Sequence, residues 1–304
     1  MQHLDERARA TLIGFLAIPL WGSLAVLTTL LSGIPPLQML TVSFAMSGVL
    51  GTLLLLARGE SLSGLLRQPP ALWLLGIGAY FGYHLLFFLA LRNAPVAEAN
   101  LINYLWPLLI VLFSALLPGE RLRPAMVIGA LLGFGGAGLL IGTGSGAAQS
   151  EAWIGYAAAL ASALIWSGYS VVSRRFSAVP TGTVFLFCLA TAALAVPAHV
   201  ALEETVMPSA TEWLVLGLLA LGPLGAAFFL WDIGTKQGHL PLLGVLSYAT
   251  PILSTLLLVA AGAAEAGAEL WIGCALVTAG AVIASGGVSM LAKVSRKRTS
   301  IAPE

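Results

Sequence analysis

Polar and aromatic side chains are sparse within the apolar runs of this 304-residue chain, so those that do occur there need a reason. Tyr80, Tyr83, His84, Phe87 and Leu91 recur at three- and four-residue intervals, which places them on one helical face. Asn100, Asn103, Tyr104 and Pro107 do the same a little further on, with Trp106 at their flank. Three smaller groups follow this pattern: Trp21 with Ser23; Trp166 with Tyr169, Ser170 and Ser173; and Ser247 with Tyr248, Ser254 and Thr255. Rings, amides and hydroxyls of this kind stack on planar solutes, face organic cations and donate or accept neutral hydrogen bonds. They do not break bonds. No HEXXH, Ser–Lys or paired-Asp arrangement lies at depth, and no Walker motif is present, so neither catalytic residues, a metal nor a cofactor is expected. A phosphate carrier would need Lys or Arg at its site, and none lies deep in an apolar run.

Depth separates lining residues from the aromatic belt at the membrane surface. Trp73, Trp153, Trp213 and Trp271 stand near the ends of apolar runs, as belt residues do. Trp21, His84, Tyr104 and Trp166 lie roughly 12–21 Å from one end of theirs, at 1.5 Å per residue. Trp21, Tyr83, His84, Asn103, Tyr104, Trp106, Trp166, Tyr169, Ser247 and Tyr248 are therefore the expected solute-binding residues, with helix–helix packing as the competing role. His84 is either a proton-linked group or a neutral hydrogen-bonding wall residue, and the second reading is preferred. Asp232 stands one turn from Lys236, where an i,i+4 ion pair would account for both; they are kept as gating candidates. Pro107 and Pro251 are hinge candidates, because proline removes a backbone donor within a helix. Arg92 and Glu98 flank a loop and are expected to be solvated.

The elements that must position these residues follow from composition. Hydrophobic residues make up 59% of the chain and charged ones only 9%, with a mean hydropathy of +0.95. Soluble domains carry roughly 25% charged residues, so the bilayer must be the solvent for most of this chain. The net charge of +1 leaves no basic surface for a nucleic acid. Cys188 and Cys274 sit in apolar runs without ligand-like neighbours and read as small hydrophobes. A membrane helix needs about 20 mostly apolar residues. On that measure ten spans are expected, at approximately 11–31, 37–57, 71–91, 96–116, 124–142, 152–173, 181–201, 212–234, 241–262 and 270–291. With the N-terminus inside, every one of the 14 basic residues except Arg92 falls on the cytoplasmic side. Both termini are thus expected in the cytoplasm.

The chain also repeats. An offset of 144 residues lays Pro107 on Pro251, Tyr104 on Tyr248, Asn103 on Ser247, Gly129 on Gly273 and Gly136 on Gly280. Trp21-Gly22-Ser23 resembles Trp166-Ser167-Gly168 at an offset of 145. Five spans per half is an odd number, so the second half would enter the membrane from the opposite side. That inverted arrangement belongs to secondary transporters, whose solute site lies near the midplane between the repeats. The expected organisation is a first five-helix repeat over 1–142, a second, inverted one over 152–291, and a basic cytoplasmic tail over 292–304.

Ten spans in two halves, Trp21-Gly22-Ser23, and a fourth span running through Pro107 to Gly119-Glu120-Arg121 resemble the EamA-type exporters of the drug/metabolite transporter superfamily. Asn103-Tyr104-Leu105-Trp106-Pro107 is similar to that superfamily's aromatic amino acid exporters, whose members also pass paraquat-type dications. The second half departs from the pattern, with Ala263-Ala264-Glu265 where Gly119-Glu120-Arg121 would recur. The resemblance implies an all-α bundle in the inner membrane, a central cavity and alternating access. The expected function is export of small neutral or zwitterionic solutes, aromatic and other neutral amino acids above all. Export of cationic aromatic compounds is the alternative, with a membrane-embedded enzyme or a scaffold behind it. The expected partners are the solute and the lipid bilayer; the sequence leaves the oligomeric state open, with a monomer compatible.

Overall fold

The computed structural model describes residues 2–114, 124–143, 146–176, 178–237, 246–247 and 249–284, and all its regular structure is helical. Span 1 is built from α1 (Gln2–Phe15), α2 (Ala17–Gly22) and α3 (Leu24–Thr29). The expected span 2 corresponds to α4 (Pro36–Ala57), and a short helix α5 (Leu62–Leu66) precedes the expected span 3, α6 (Pro70–Asn93). The expected span 4 corresponds to α7 (Val96–Asn103) plus α8 (Trp106–Ser114), and the expected span 5 to α9 (Pro124–Thr143). In the second half come α10 (Gly146–Val172), α11 (Thr183–Leu202), α12 (Ala210–Leu221) with α13 (Ala227–Gln237), α14 (Ala249–Ala260) and α15 (Ala268–Ala284). Among the described residues, six helical stretches are long and apolar enough to cross a membrane: Ala8–Thr29, Pro36–Ala57, Pro70–Asn93, Ala152–Val172, Thr183–Leu202 and Ala210–Gly234. Val127–Gly136, Ala249–Ala260 and Ala268–Gly280 are apolar but shorter.

Three spans expected as continuous helices are interrupted, and each interruption has a chemical cause. Pro19 cannot donate to the carbonyl of Phe15, and α1 ends at that residue. Pro107 cannot donate to Asn103, and α7 ends there. Pro223 lies in a π-turn, Gly222–Ala226, between α12 and α13. The carbonyl of Leu224 in this turn is met across the bundle by the hydroxyl of Ser47 at 2.9 Å. Pro197 lies inside α11 without interrupting it, and Pro251 lies in α14.

Helix contacts pair α4 with α11, α6 with α10, α9 with α15 and α1 with α13. The first pair is antiparallel along its length: Gly48 meets Leu189, Gly182 meets Leu55, and Glu203 accepts from the N–H groups of Leu37 and Gln38 at 2.9 and 3.0 Å. Glu203 thereby caps the orphan donors at the start of α4. Along the α9–α15 seam, a Cβ on Gly280 would lie 2.5 Å from the carbonyl oxygen of Gly129, and one on Gly136 would lie 3.1 Å from that of Gly273. Only glycines allow this approach.

Arg92 is not merely solvated, as the sequence had led us to expect. Its guanidinium caps the end of span 1, donating to the carbonyls of Leu31, at 3.1 Å, and Ile34. Glu98 likewise accepts from the Tyr156 hydroxyl. Trp153, Trp213 and Trp271 stay exposed near helix starts, whereas Trp73 packs edge-on against Phe187 at 5.4 Å. Both cysteines are buried free thiols.

Candidate functional site

The three interruptions converge. Trp21 sits in α2, Tyr104 and Trp106 bracket the gap between α7 and α8, and Phe228 and Trp231 follow the π-turn. Trp21 is the hub, with ring centroids 5.1 Å from Trp231, 5.8 Å from Phe228, 6.1 Å from Trp166 and 6.5 Å from Trp106. Trp166 from α10 adds Tyr83 at 5.3 Å and Tyr169 at 5.2 Å. Most of these contacts are tilted or edge-on, the geometry that ring quadrupoles favour.

Within this cluster lies a cavity of about 20 Å³. Its wall includes Trp21, Tyr83, His84, Asn103, Tyr104, Trp106 and Trp166, seven residues expected from sequence, together with Leu24, Phe87, Asn100, Phe228 and Thr250. That volume accommodates a single water and is far below what an amino acid needs. The rings pack against one another and leave little space between them.

The wall is polar without being charged. Tyr83 donates to Asn103 Oδ1 at 3.1 Å, and Asn103 Nδ2 donates to Ser162 at 2.6 Å. Asn100 Nδ2 donates to Ser254 at 2.7 Å, so α7 is tied to α6, α10 and α14 by its two carboxamides. His84 is 1% exposed and ringed by Phe44, Tyr83 and Phe228 at 4.8–5.6 Å. Its Nδ1 lies 2.7 Å from the carbonyl oxygen of Tyr80. A carbonyl only accepts, so Nδ1 carries the proton, and in the neutral ring Nε2 is the remaining acceptor.

Other expected residues fall elsewhere. Tyr169 stands behind Trp166 and against Tyr80, one layer from the cavity. Ser247 is buried and accepts through its carbonyl from Thr250, which takes the lining position instead. Tyr248 and the side chain of Lys236 lie outside the described residues. Asp232 accepts from the Thr181 hydroxyl just before α11, a cross-helix contact that the expected pairing within α13 did not foresee. Phe228 and Trp231 escaped the sequence reading, although the 144-residue offset would have found them: it lays Phe228 on His84 and Trp231 on Phe87.

A helical membrane bundle with an uncharged aromatic pocket among interrupted helices has the build of a solute carrier. The chain belongs to the EamA-like transporter family, which matches residues 8–142 and again 153–286. It is 54% identical to the aromatic amino acid exporter YddG of Ancylobacter novellus over 282 residues, 92% of this chain and 98% of that protein. YddG of Escherichia coli is 28% identical over 91% of this chain and 97% of its own length. A solved crystal structure, 53% identical, superposes with a TM-score of 0.74 over 91% of this chain and 98% of its own.

Proposed function

We propose that this protein exports aromatic and other neutral amino acids across the bacterial inner membrane by alternating access, as a carrier and not an enzyme. The observation that carries the reading is the convergence of Trp21, Trp106 and Trp166, from three separate spans, on one cavity whose wall holds no formal charge. The printed names of the relatives agree with it.

The proposed architecture is ten spans in two inverted five-helix repeats, 1–142 and 152–291, with the basic tail 292–304 and both termini cytoplasmic. Helix pairing supports it. Exchanging the halves turns span 3 on span 6 into span 8 on span 1, and both pairs are in contact. The same exchange turns the approach of Gly136 to Gly273 into that of Gly280 to Gly129. The separate family matches to 8–142 and 153–286 point the same way.

Export of cationic aromatic compounds is the second reading, favoured by the density of ring faces without a competing Lys or Arg. The purified protein in proteoliposomes distinguishes the two. Tryptophan, phenylalanine and tyrosine should exchange across the membrane and a permanent dication should not; exchange of the dication alone would replace the first reading by the second.

A further inference from the structure

A zwitterion entering this cavity brings an ammonium and a carboxylate, and the wall offers no formal charge to either. Leaving a buried charge without polar partners is prohibitive, so fixed dipoles must serve. The interruption of span 4 supplies them. Helix α7 ends at Asn103, and the carbonyls of a last helical turn carry the negative end of the helix dipole. Here the turn closes early. Tyr104 N–H donates to Asn100 O at 3.0 Å, and Leu105 N–H turns back to Ile102 O at 3.1 Å. The donor that would ordinarily meet the Asn103 carbonyl, the N–H four residues on, does not exist, because that residue is Pro107. The Asn103 side chain is already engaged at both ends, by Tyr83 and Ser162. Asn103 itself is 1% exposed and lines the cavity together with Trp106. A buried carbonyl deprived of its helical donor, beside an enclosed space, calls for a donor from that space.

We propose that the main-chain carbonyls at the end of α7, that of Asn103 foremost, receive the α-ammonium of the solute, while Trp21, Trp106 and Trp166 hold its apolar ring. This inference rests on the central cavity being the solute site. It narrows the substrate class to primary ammonium compounds bearing a planar group, and it makes the ammonium, not the carboxylate, the group that is read.

Competition against tritiated tryptophan counterflow in proteoliposomes tests it. Tryptamine keeps the ammonium and should compete within severalfold of tryptophan. Indole-3-propionate and N-acetyltryptophan lack it and should be weaker by about tenfold or more, the worth of a hydrogen bond to a charged group. Indole-3-propionate competing as well as tryptophan would overturn the proposal. Pro107→Ala returns an N–H to the Asn103 carbonyl and should cut the preference for tryptamine over indole-3-propionate about tenfold. An unchanged preference in a folded variant counts against the proposal. If that variant does not fold, the competition order of the unmodified protein decides. No counterflow with any aromatic amino acid would defeat the functional reading itself, and this inference with it.

Discussion

Trp166 is the ring whose loss should speak most clearly. Its centroid lies 5.2–6.2 Å from those of Trp21, Tyr80, Tyr83, Tyr169 and Phe228, so it is at once packing and cavity wall. Truncation to alanine removes a large buried ring from a fitted site, which in protein cores costs about 3–5 kcal/mol of stability. Facing a solute, one aromatic pair contributes about 0.5–1.5 kcal/mol beyond its buried area. The two effects separate by assay. Thermal unfolding in detergent should fall for Trp166→Ala, while half-saturation for tryptophan, measured on the folded fraction after size exclusion, should rise roughly twofold to tenfold. Trp271 is 36% exposed at a helix start, so Trp271→Ala should change stability by no more than about 0.5 kcal/mol and leave half-saturation alone. Should folded Trp166→Ala protein saturate at the tryptophan concentration of the unmodified protein, the ring is packing only and the site lies elsewhere.

Three further outcomes are expected. Reporter fusions at Gly144 and Glu203 should read external and one at Arg174 internal; the opposite pattern would undo the topology and the inverted repeat together. Gly280→Ala should lower stability by about 1–3 kcal/mol, because its Cβ would press on the Gly129 carbonyl, whereas Gly135, with open space around it, should accept alanine; equal effects in thermal unfolding would contradict the close seam. Transport should proceed without obligatory proton coupling, since among the described residues the cavity wall holds no carboxylate and a single histidine, His84. A solute-driven pH change in sealed vesicles that His84→Ala abolishes, with counterflow surviving, would show otherwise.

Much of the site was legible because a bilayer interior makes polar residues conspicuous. Seven wall residues could be read from helical spacing and depth alone. What escaped depended on rotation about helix axes and on contacts between helices. Tyr169 and Trp166 are three residues apart, yet one stands behind the other. Ser247 carries the expectation, yet Thr250, three residues on, lines the cavity. Phe228 and Trp231 look like ordinary apolar helix until their repeat partners are compared. Asp232 invited a local ion pair, and its contact with Thr181 needed the fold to bring two spans together.

The placement of the interruptions bears on how a closed cavity of about 20 Å³ could ever admit an amino acid. A continuous helix moves as a rod, and separating one such rod from its neighbours would expose its whole packed face. An interrupted helix has a point at which one half can tilt while the other stays seated. Here span 1 breaks beside Trp21, span 4 between Tyr104 and Trp106, and span 8 just before Phe228. The seats that would remain are those where backbone approaches backbone or side chains cross-link: the glycine seam of α9 with α15, and the α4–α11 pair fastened by Glu203. Trp21, Tyr104, Trp106 and Phe228 sit at these breaks, whereas Tyr83, His84 and Trp166 sit on the uninterrupted helices α6 and α10. Rigidifying one hinge while sparing the wall would test this division: Pro19→Ala restores the donor to Phe15, lines no part of the cavity and should straighten span 1. Slower tryptophan exchange with half-saturation unchanged is the expected result. An unaltered exchange rate in the folded variant would mean that opening does not pass through the break in span 1.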